Sequence, residues 1–214
     1  MAGRPAVFVR FTGCNMWSGL ETDRGRDFAR MGAACAHWCD TDFTKTGSQS
    51  YTAESLVEAM LAEAGSIRFC VLTGGEPLLQ ADATLLQALH AAGFWVAVET
   101  NGSVPLAPTF LAKDGTLHPP DWIVCSPKLP ESELKLPYCD ELKLVVPDFR
   151  PEQYPNMSRR VRQYPLGTGA LPTLWLQPED GPRAAEATQL AIETALAHPN
   201  WRVSVQTHKI IGVD

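Results

Sequence analysis

Three cysteines near the amino terminus have the chemistry to bind a metal: Cys14 in "FTGCNMW", and the pair Cys35 and Cys39 in "ACAHWCDTDF". Thiolates take soft or borderline metals, and a close pair on one loop commonly supplies two ligands. Two arrangements are open. With His37 as fourth ligand, the set makes a Cys3His zinc site, but His37 lies between two ligands and its ring must fold back onto the same metal. A structural zinc wants a closed shell of four protein ligands. With the three thiols alone, one metal position stays free. On an iron–sulfur cluster, whose irons take Cys ligands, an open iron is a place for chemistry.

A second stretch weighs between them. "TGGEP", residues 73 to 77, directly follows an apolar run. Its two glycines let backbone approach a ligand closely and expose N–H and C=O groups. Glu76 adds a carboxylate, and Pro77 starts the next turn. Such an acidic, backbone-lined edge suits an ammonium group better than a phosphate. Three cysteines after one strand and "GGEP" after the next favour the open cluster.

The elements that position these residues alternate. Short β-rich runs read "AVFVRFTG", "RFCVLTGGEP", "WVAVETNG", "DWIVCSPK", "ELKLVVPD", "TLWLQPED" and "RVSVQTHK". The middle ones are nearly continuous apolar runs, as in parallel strands buried on both faces. Thr52 can cap a helix that Gly65 ends, Asp82 one that Gly93 stops, and "RAAEATQLAIETALAHP" stops before Pro199. Residues 105–120 and 147–171 are proline-rich, with short or missing helices. The segment "ETDRGRDFARMGAA" reads as loop. Strand and helix in alternation predict an α/β fold with a mostly parallel sheet. The polar clusters follow the strands, at the active face of such sheets. A full eight-unit barrel takes about 250 residues. The 214 residues here predict one domain, 1–214, forming a partial, open β/α barrel with a cluster loop over 14–41.

Composition narrows the class. Hydrophobic residues make up 45% and charged residues 20%, a globular balance, and the net charge of −6 argues against a protein that coats nucleic acid. No apolar run is long enough for a membrane span, and the start has no signal-peptide pattern, so a cytoplasmic protein with reduced thiols is expected. Cys70 and Cys125 sit inside apolar runs and read as core residues, and Cys139 as structural.

Taken together, these residues resemble a radical S-adenosylmethionine (SAM) enzyme. There, three cysteines hold a [4Fe–4S] cluster, the amino and carboxylate groups of SAM chelate the fourth iron, and a GGEP-type strand end holds the SAM amino group. The usual spacing is Cys-x3-Cys-x2-Cys. Here Ser18 stands four residues after Cys14, the next cysteine is Cys35, and the last pair is spaced x3. With "AGRPAVFVRFTGCN", "CDTDF", "TGGEPLLQ", "ETNGS", "SPK", "QPEDGP" and "QTHK", the chain resembles the 7-carboxy-7-deazaguanine synthase family over nearly its whole length.

The resemblance implies a reaction that converts 6-carboxy-5,6,7,8-tetrahydropterin to 7-carboxy-7-deazaguanine and releases ammonia, on the way to queuosine and other 7-deazapurines. It implies a homodimer, Mg2+, and a flavodoxin-like or similar electron donor. Cys14, Cys35 and Cys39 match the cluster ligands. Gly74, Gly75 and Glu76 match the SAM amino-group contact, and Asn101, Ser126, Lys128 and Gln177 match strand-end positions at the SAM pocket, with Glu99 and Thr100 in the same pocket. Arg10 matches an arginine that meets the substrate carboxylate, as a bidentate fork suits. His208, placed at the end of the last strand, and Asp214 match substrate contacts. Asp40 and Thr41 match the magnesium locus, where hard oxygen donors are fitting. The family pattern also has a preceding "FxTLQGEG" strand that supplies a glutamine and a glutamate to the substrate. Here Met1 stands directly before "AGRP", so either the reading frame starts late or part of the pterin pocket is lacking. Rival readings are another radical SAM enzyme such as a glycyl-radical activating enzyme, a non-enzymatic zinc-stabilised domain, and a SAM-binding remnant without turnover.

Overall fold

The computed structural model describes residues 3–160 and 170–212. Seven strands form one sheet: β1 (Val7–Phe11), β2 (Phe69–Gly74), β3 (Trp95–Thr100), β4 (Trp122–Cys125), β5 (Glu141–Val146), β6 (Thr173–Pro178) and β7 (Trp201–Val203). They lie side by side in chain order, and every neighbouring pair is parallel. Six fall inside the runs named above, β7 begins one residue before its run at Trp201, and the sheet is open, as the unit count predicts.

Alternation along the strands divides the sheet into two faces. Cys70, Leu72, Val96, Val98, Ile123, Cys125, Leu142, Leu144 and Leu176 join one large core with the helices. Those helices are α2 (Ala53–Ala64), α3 (Ala83–Ala91) and α5 (Ala184–Ala197). Cys70, Cys125 and Cys139 are buried in this core, as expected. On the other face, Phe69, Val71 and Ala97 pack with Trp95 and Trp122. Higher on that face the residue type changes to Thr73, Glu99, Lys143 and Gln177, which line a cleft at the carboxyl ends.

The expected caps form. The Thr52 hydroxyl accepts from Ser55 N–H, and the Asp82 carboxylate from Leu85 N–H at 2.9 Å. In the proline-rich segments the described residues hold no helix beyond α4 (Leu106–Thr109) and single 3-10 turns, with one antiparallel bridge between Leu111 and Leu117. No described helix is long and apolar enough to cross a membrane.

Two expectations fail. The segment read as loop between Cys14 and Cys35 contains α1 (Arg24–Met31), preceded by a 3-10 turn (Glu21–Asp23) and ended by Gly32 at φ 66°. Its one buried residue is Asp27, so it buries no apolar stripe; Phe28 rests on His37 and Met31 on the group around Met16 and Cys35. The "QTHK" stretch is not the end of the last strand: β7 stops at Val203, and Thr207–Ile211 form α6.

Candidate active site

The strand ends and the loop from Cys14 to Phe43 enclose a cleft of about 550 Å³. Cys14, Cys35 and Cys39 all line it, with Gly74, Gly75, Asn101, Ser126, Lys128 and Gln177 on the floor and Arg10, Asp40 and Thr41 on the wall. The chain thus brings residues from six separate stretches to one place.

Strand pairing puts Cys14 beside the diglycine turn. The end of β1 lies on the end of β2: Gly75 N–H donates to Phe11 C=O at 3.1 Å, and Glu76 N–H to Gly13 C=O at 3.0 Å. A Cβ on Gly75 would sit 2.0 Å from Gly13 O, and one on Gly74 2.3 Å from Phe11 O. The two glycines are therefore required by the neighbouring backbone as well as by anything the cleft holds. Glu76 is not on the cleft wall. Its carboxylate is fully buried behind the turn and accepts from Leu78 N–H (3.0 Å), Thr100 Oγ1–H (2.8 Å) and Asn101 N–H (2.8 Å). Burial pushes its pKa up against those three donors. It ties the ends of β2 and β3 together.

The other two thiols are placed by side chains that sequence reasoning does not single out. Cys35 lies in a 3-10 turn (Ala34–His37), and Cys39 N–H donates to its carbonyl at 2.8 Å. Arg24 on α1 donates to the carbonyls of Ala36 (2.8 Å) and Cys39 (3.1 Å) while Glu21 holds its guanidinium. Trp38, between the cysteines, donates from Nε1 to Asp148 at 2.6 Å. Asp148 is paired with Arg183, which also binds the buried Glu179, so the "PD" and "QPED" strand ends anchor the loop. Asn101 Nδ2 donates to Asn15 Oδ1 at 2.9 Å, which anchors the chain just after Cys14.

Burial raises the Cys14 pKa, partly offset by the N–H groups of Met16 and Trp17, and pushes Cys35 up to about 12, partly offset by the Lys128 ammonium. Free, these thiols stay protonated, and metal binding would release the protons. Lys128, its own pKa lowered by burial, donates to Ser126 Oγ at 2.7 Å.

Among the described residues, no three His, Cys, Asp or Glu side chains converge as a single ion requires. His37 lies against Phe28, with ring centroids 4.4 Å apart. The Cys3His arrangement is thus not formed. An iron–sulfur cluster does not need the three side chains on one ion, and the Cys14, Cys35 and Cys39 thiols that line this cleft are the ligand type it takes.

Asp40 lines the cleft, but its carboxylate already receives Lys209 Nζ at 2.5 Å, and the same ammonium binds Asp180. Thr41 lies beside it on the wall. Lys209, Lys143 and Thr73, all on the cleft, are additions to the expected set. Thr73 and Lys209 stand beside the expected Gly74 and His208 in sequence, whereas Lys143 lies in β5 far from any expected residue and carries no local signal. His208 falls on α6 by its backbone, next to Lys209. Asp214 lies outside the described residues.

An open parallel β/α barrel with three cysteine thiols over the carboxyl ends of its strands defines an enzyme of the radical SAM class. No family model matches the chain. Comparison with curated proteins finds 7-carboxy-7-deazaguanine synthases of Bordetella pertussis and Bradyrhizobium diazoefficiens, each 44% identical over 99% of this chain and 91% of theirs. That of Burkholderia multivorans is 42% identical over the same shares. Among solved structures, QueE from Escherichia coli superposes with a TM-score of 0.60 at 24% identity, covering 95% of this chain and 86% of that one, a likeness of fold. The chain belongs to the 7-carboxy-7-deazaguanine synthase family.

Proposed function

We propose that the cleft converts 6-carboxy-5,6,7,8-tetrahydropterin to 7-carboxy-7-deazaguanine with release of ammonia. The observation that carries this is the gathering of Cys14, Cys35 and Cys39 with the Gly74–Gly75 turn around one cleft, in a chain of this family. Cys14, Cys35 and Cys39 hold a [4Fe–4S] cluster. The cluster and SAM, when bound, supply the one-electron chemistry that starts the ring contraction.

The residues of the chain bind, orient and shield. Gly74 and Gly75 offer backbone carbonyls to the SAM amino group, and the buried Glu76 keeps that turn against β3. Asn101, Ser126, Lys128 and Gln177 line the rest of the SAM pocket. Arg10 offers a guanidinium fork to the pterin carboxylate, with His208 and Asp214 as further substrate contacts. Holding reactants at fixed separation supplies the rate advantage of proximity. Met16, Trp17, Trp38 and Phe43 give the cluster loop an apolar wall that keeps water from a reactive centre. Asp40 and Thr41 supply oxygen donors for Mg2+, and Lys209 pairs with Asp40 beside them. A homodimer, a flavodoxin-like electron donor and a cytoplasmic location follow from the family resemblance.

The test is anaerobic reconstitution with iron and sulfide, followed by SAM cleavage under reduction. Native protein should load iron and sulfide and cleave SAM, while Cys14→Ala, Cys35→Ala and Cys39→Ala each lose both. Native iron and sulfide content in any of the three variants overturns its place as a ligand.

A further inference from the structure

Two buried side-chain donors among the described residues have no acceptor within the chain: the indole N–H groups of Trp17 and Trp175. A buried polar group left unpaired in a folded protein is uncommon and points to strain or to a missing ligand. Trp175 is on β6 and does not line the cleft. Trp17 does, and only 3% of its surface is exposed.

The surroundings of Trp17 fix the ring without using its N–H. Phe43 meets it edge-on with centroids 5.4 Å apart, and the Arg24 guanidinium lies 4.2 Å over the ring. Arg24 is in turn held by the carbonyls of Ala36 and Cys39. The apolar group of Trp17, Ala36 and Phe43 has Cys14 and Cys39 packed against it. An indole N–H can only donate. Nearby, Met16 N–H is 3.4 Å from Cys14 Sγ, so this part of the loop already presents donors to sulfur. The remaining cleft tryptophan, Trp38, gives its N–H to Asp148.

We propose that Trp17 Nε1–H donates a hydrogen bond to a sulfur of the iron–sulfur cluster, and so raises the cluster's reduction potential. Reduction adds negative charge to the cluster, and a donor to its sulfurs stabilises the reduced form more than the oxidised one. Trp17 is a tuning residue in this role, not a ligand. The inference rests on the assignment of Cys14, Cys35 and Cys39 as ligands.

The test is a potentiometric titration of the reconstituted cluster in native protein and Trp17→Phe. Phenylalanine keeps an aromatic ring and removes the donor. The expected result is native iron and sulfide content with a potential lowered by about 59 mV, which is a tenfold change in a one-electron equilibrium. Native content with an unchanged potential overturns the proposal.

Should Trp17→Phe not fold or load, native protein grown with 15N-indole tryptophan supplies the second readout. Pulsed paramagnetic resonance of the reduced cluster should show a 15N coupling that persists in Trp38→Phe. Its absence, or its loss in Trp38→Phe, overturns the proposal. The ligand assignment fails separately, through native iron content in Cys39→Ala.

Discussion

Replacing Gly75 by alanine tests whether the Cys14 thiol is placed by the packing of two strand ends. The added Cβ falls 2.0 Å from Gly13 O, 2.5 Å from Gly13 C and 3.0 Å from Cys14 Cβ. Non-bonded atoms settle at roughly 3.5 Å, so the two backbones must part by more than about 1 Å. The obstacle is backbone, not the movable end of a side chain. Two hydrogen bonds cross the contact, Gly75 N–H to Phe11 C=O and Glu76 N–H to Gly13 C=O. Each buried donor that loses its acceptor costs about 1–3 kcal/mol, so the pair costs roughly 2–6 kcal/mol. At about 2–4 °C per kcal/mol for a domain of this size, Tm should fall by roughly 4–24 °C. The functional loss should be larger in proportion, because a misplacement of about 1 Å costs roughly 100-fold in rate. The assay is an anaerobic melt with iron content and SAM cleavage measured on the same preparation. Gly25→Ala is the control: its Cβ meets nothing within 4 Å on α1, and it should hold or gain about 0.5–1 kcal/mol. A Gly75→Ala protein with native Tm, iron content and cleavage rate would refute the reasoning.

Other expectations follow from the loop anchors and the cleft charges. Trp38→Phe removes the hydrogen bond to Asp148. A bond to a charged group is worth about 1.5–3 kcal/mol, and the low end applies because Arg183 still pairs with Asp148. An unchanged urea midpoint would count against that anchor. The hydrogen bonds from Ser18 hold the Asp27 pKa down at about 2, below its ordinary 3.8. That carboxylate therefore stabilises the fold above pH ~4, and the contribution is lost as pH falls through about 2. The gap in stability between native protein and Asp27→Asn should close over that window, and a constant gap refutes the assignment. Lys209→Met frees Asp40 and should move the Mg2+ activation midpoint to lower concentration, whereas Thr41→Ala should move it higher. Mg2+ titrations that coincide with the native curve would remove both residues from the metal locus.

The strands are legible in the sequence because each is a compact apolar run that ends in a polar cluster, and the two caps at Thr52 and Asp82 are local. What escapes is whatever depends on distant partners. Helix α1 buries no apolar stripe to reveal it: its buried residue is Asp27, which meets Ser18 from the preceding loop at 2.7 Å. Glu76 reads as a ligand contact by its motif, yet its lone pairs go to Leu78, Thr100 and Asn101. The demand on Gly74 and Gly75 from the end of β1 cannot be seen without the strand pairing. The three thiols are recognisable by type and order, while the anchors that place them, Arg24 and the Trp38–Asp148–Arg183 chain, are ordinary residues in the sequence. The "QTHK" run looks like a strand end because β7 is short and its continuation turns into α6.

The central claim is tested most directly by product analysis. Reconstituted, reduced protein is given SAM, Mg2+ and 6-carboxy-5,6,7,8-tetrahydropterin without oxygen, and the mixture is read by mass spectrometry beside a Cys39→Ala control. The account expects 7-carboxy-7-deazaguanine and ammonia from the native protein and neither from the control. A preparation that carries zinc alone, with neither SAM cleavage nor product, would contradict it.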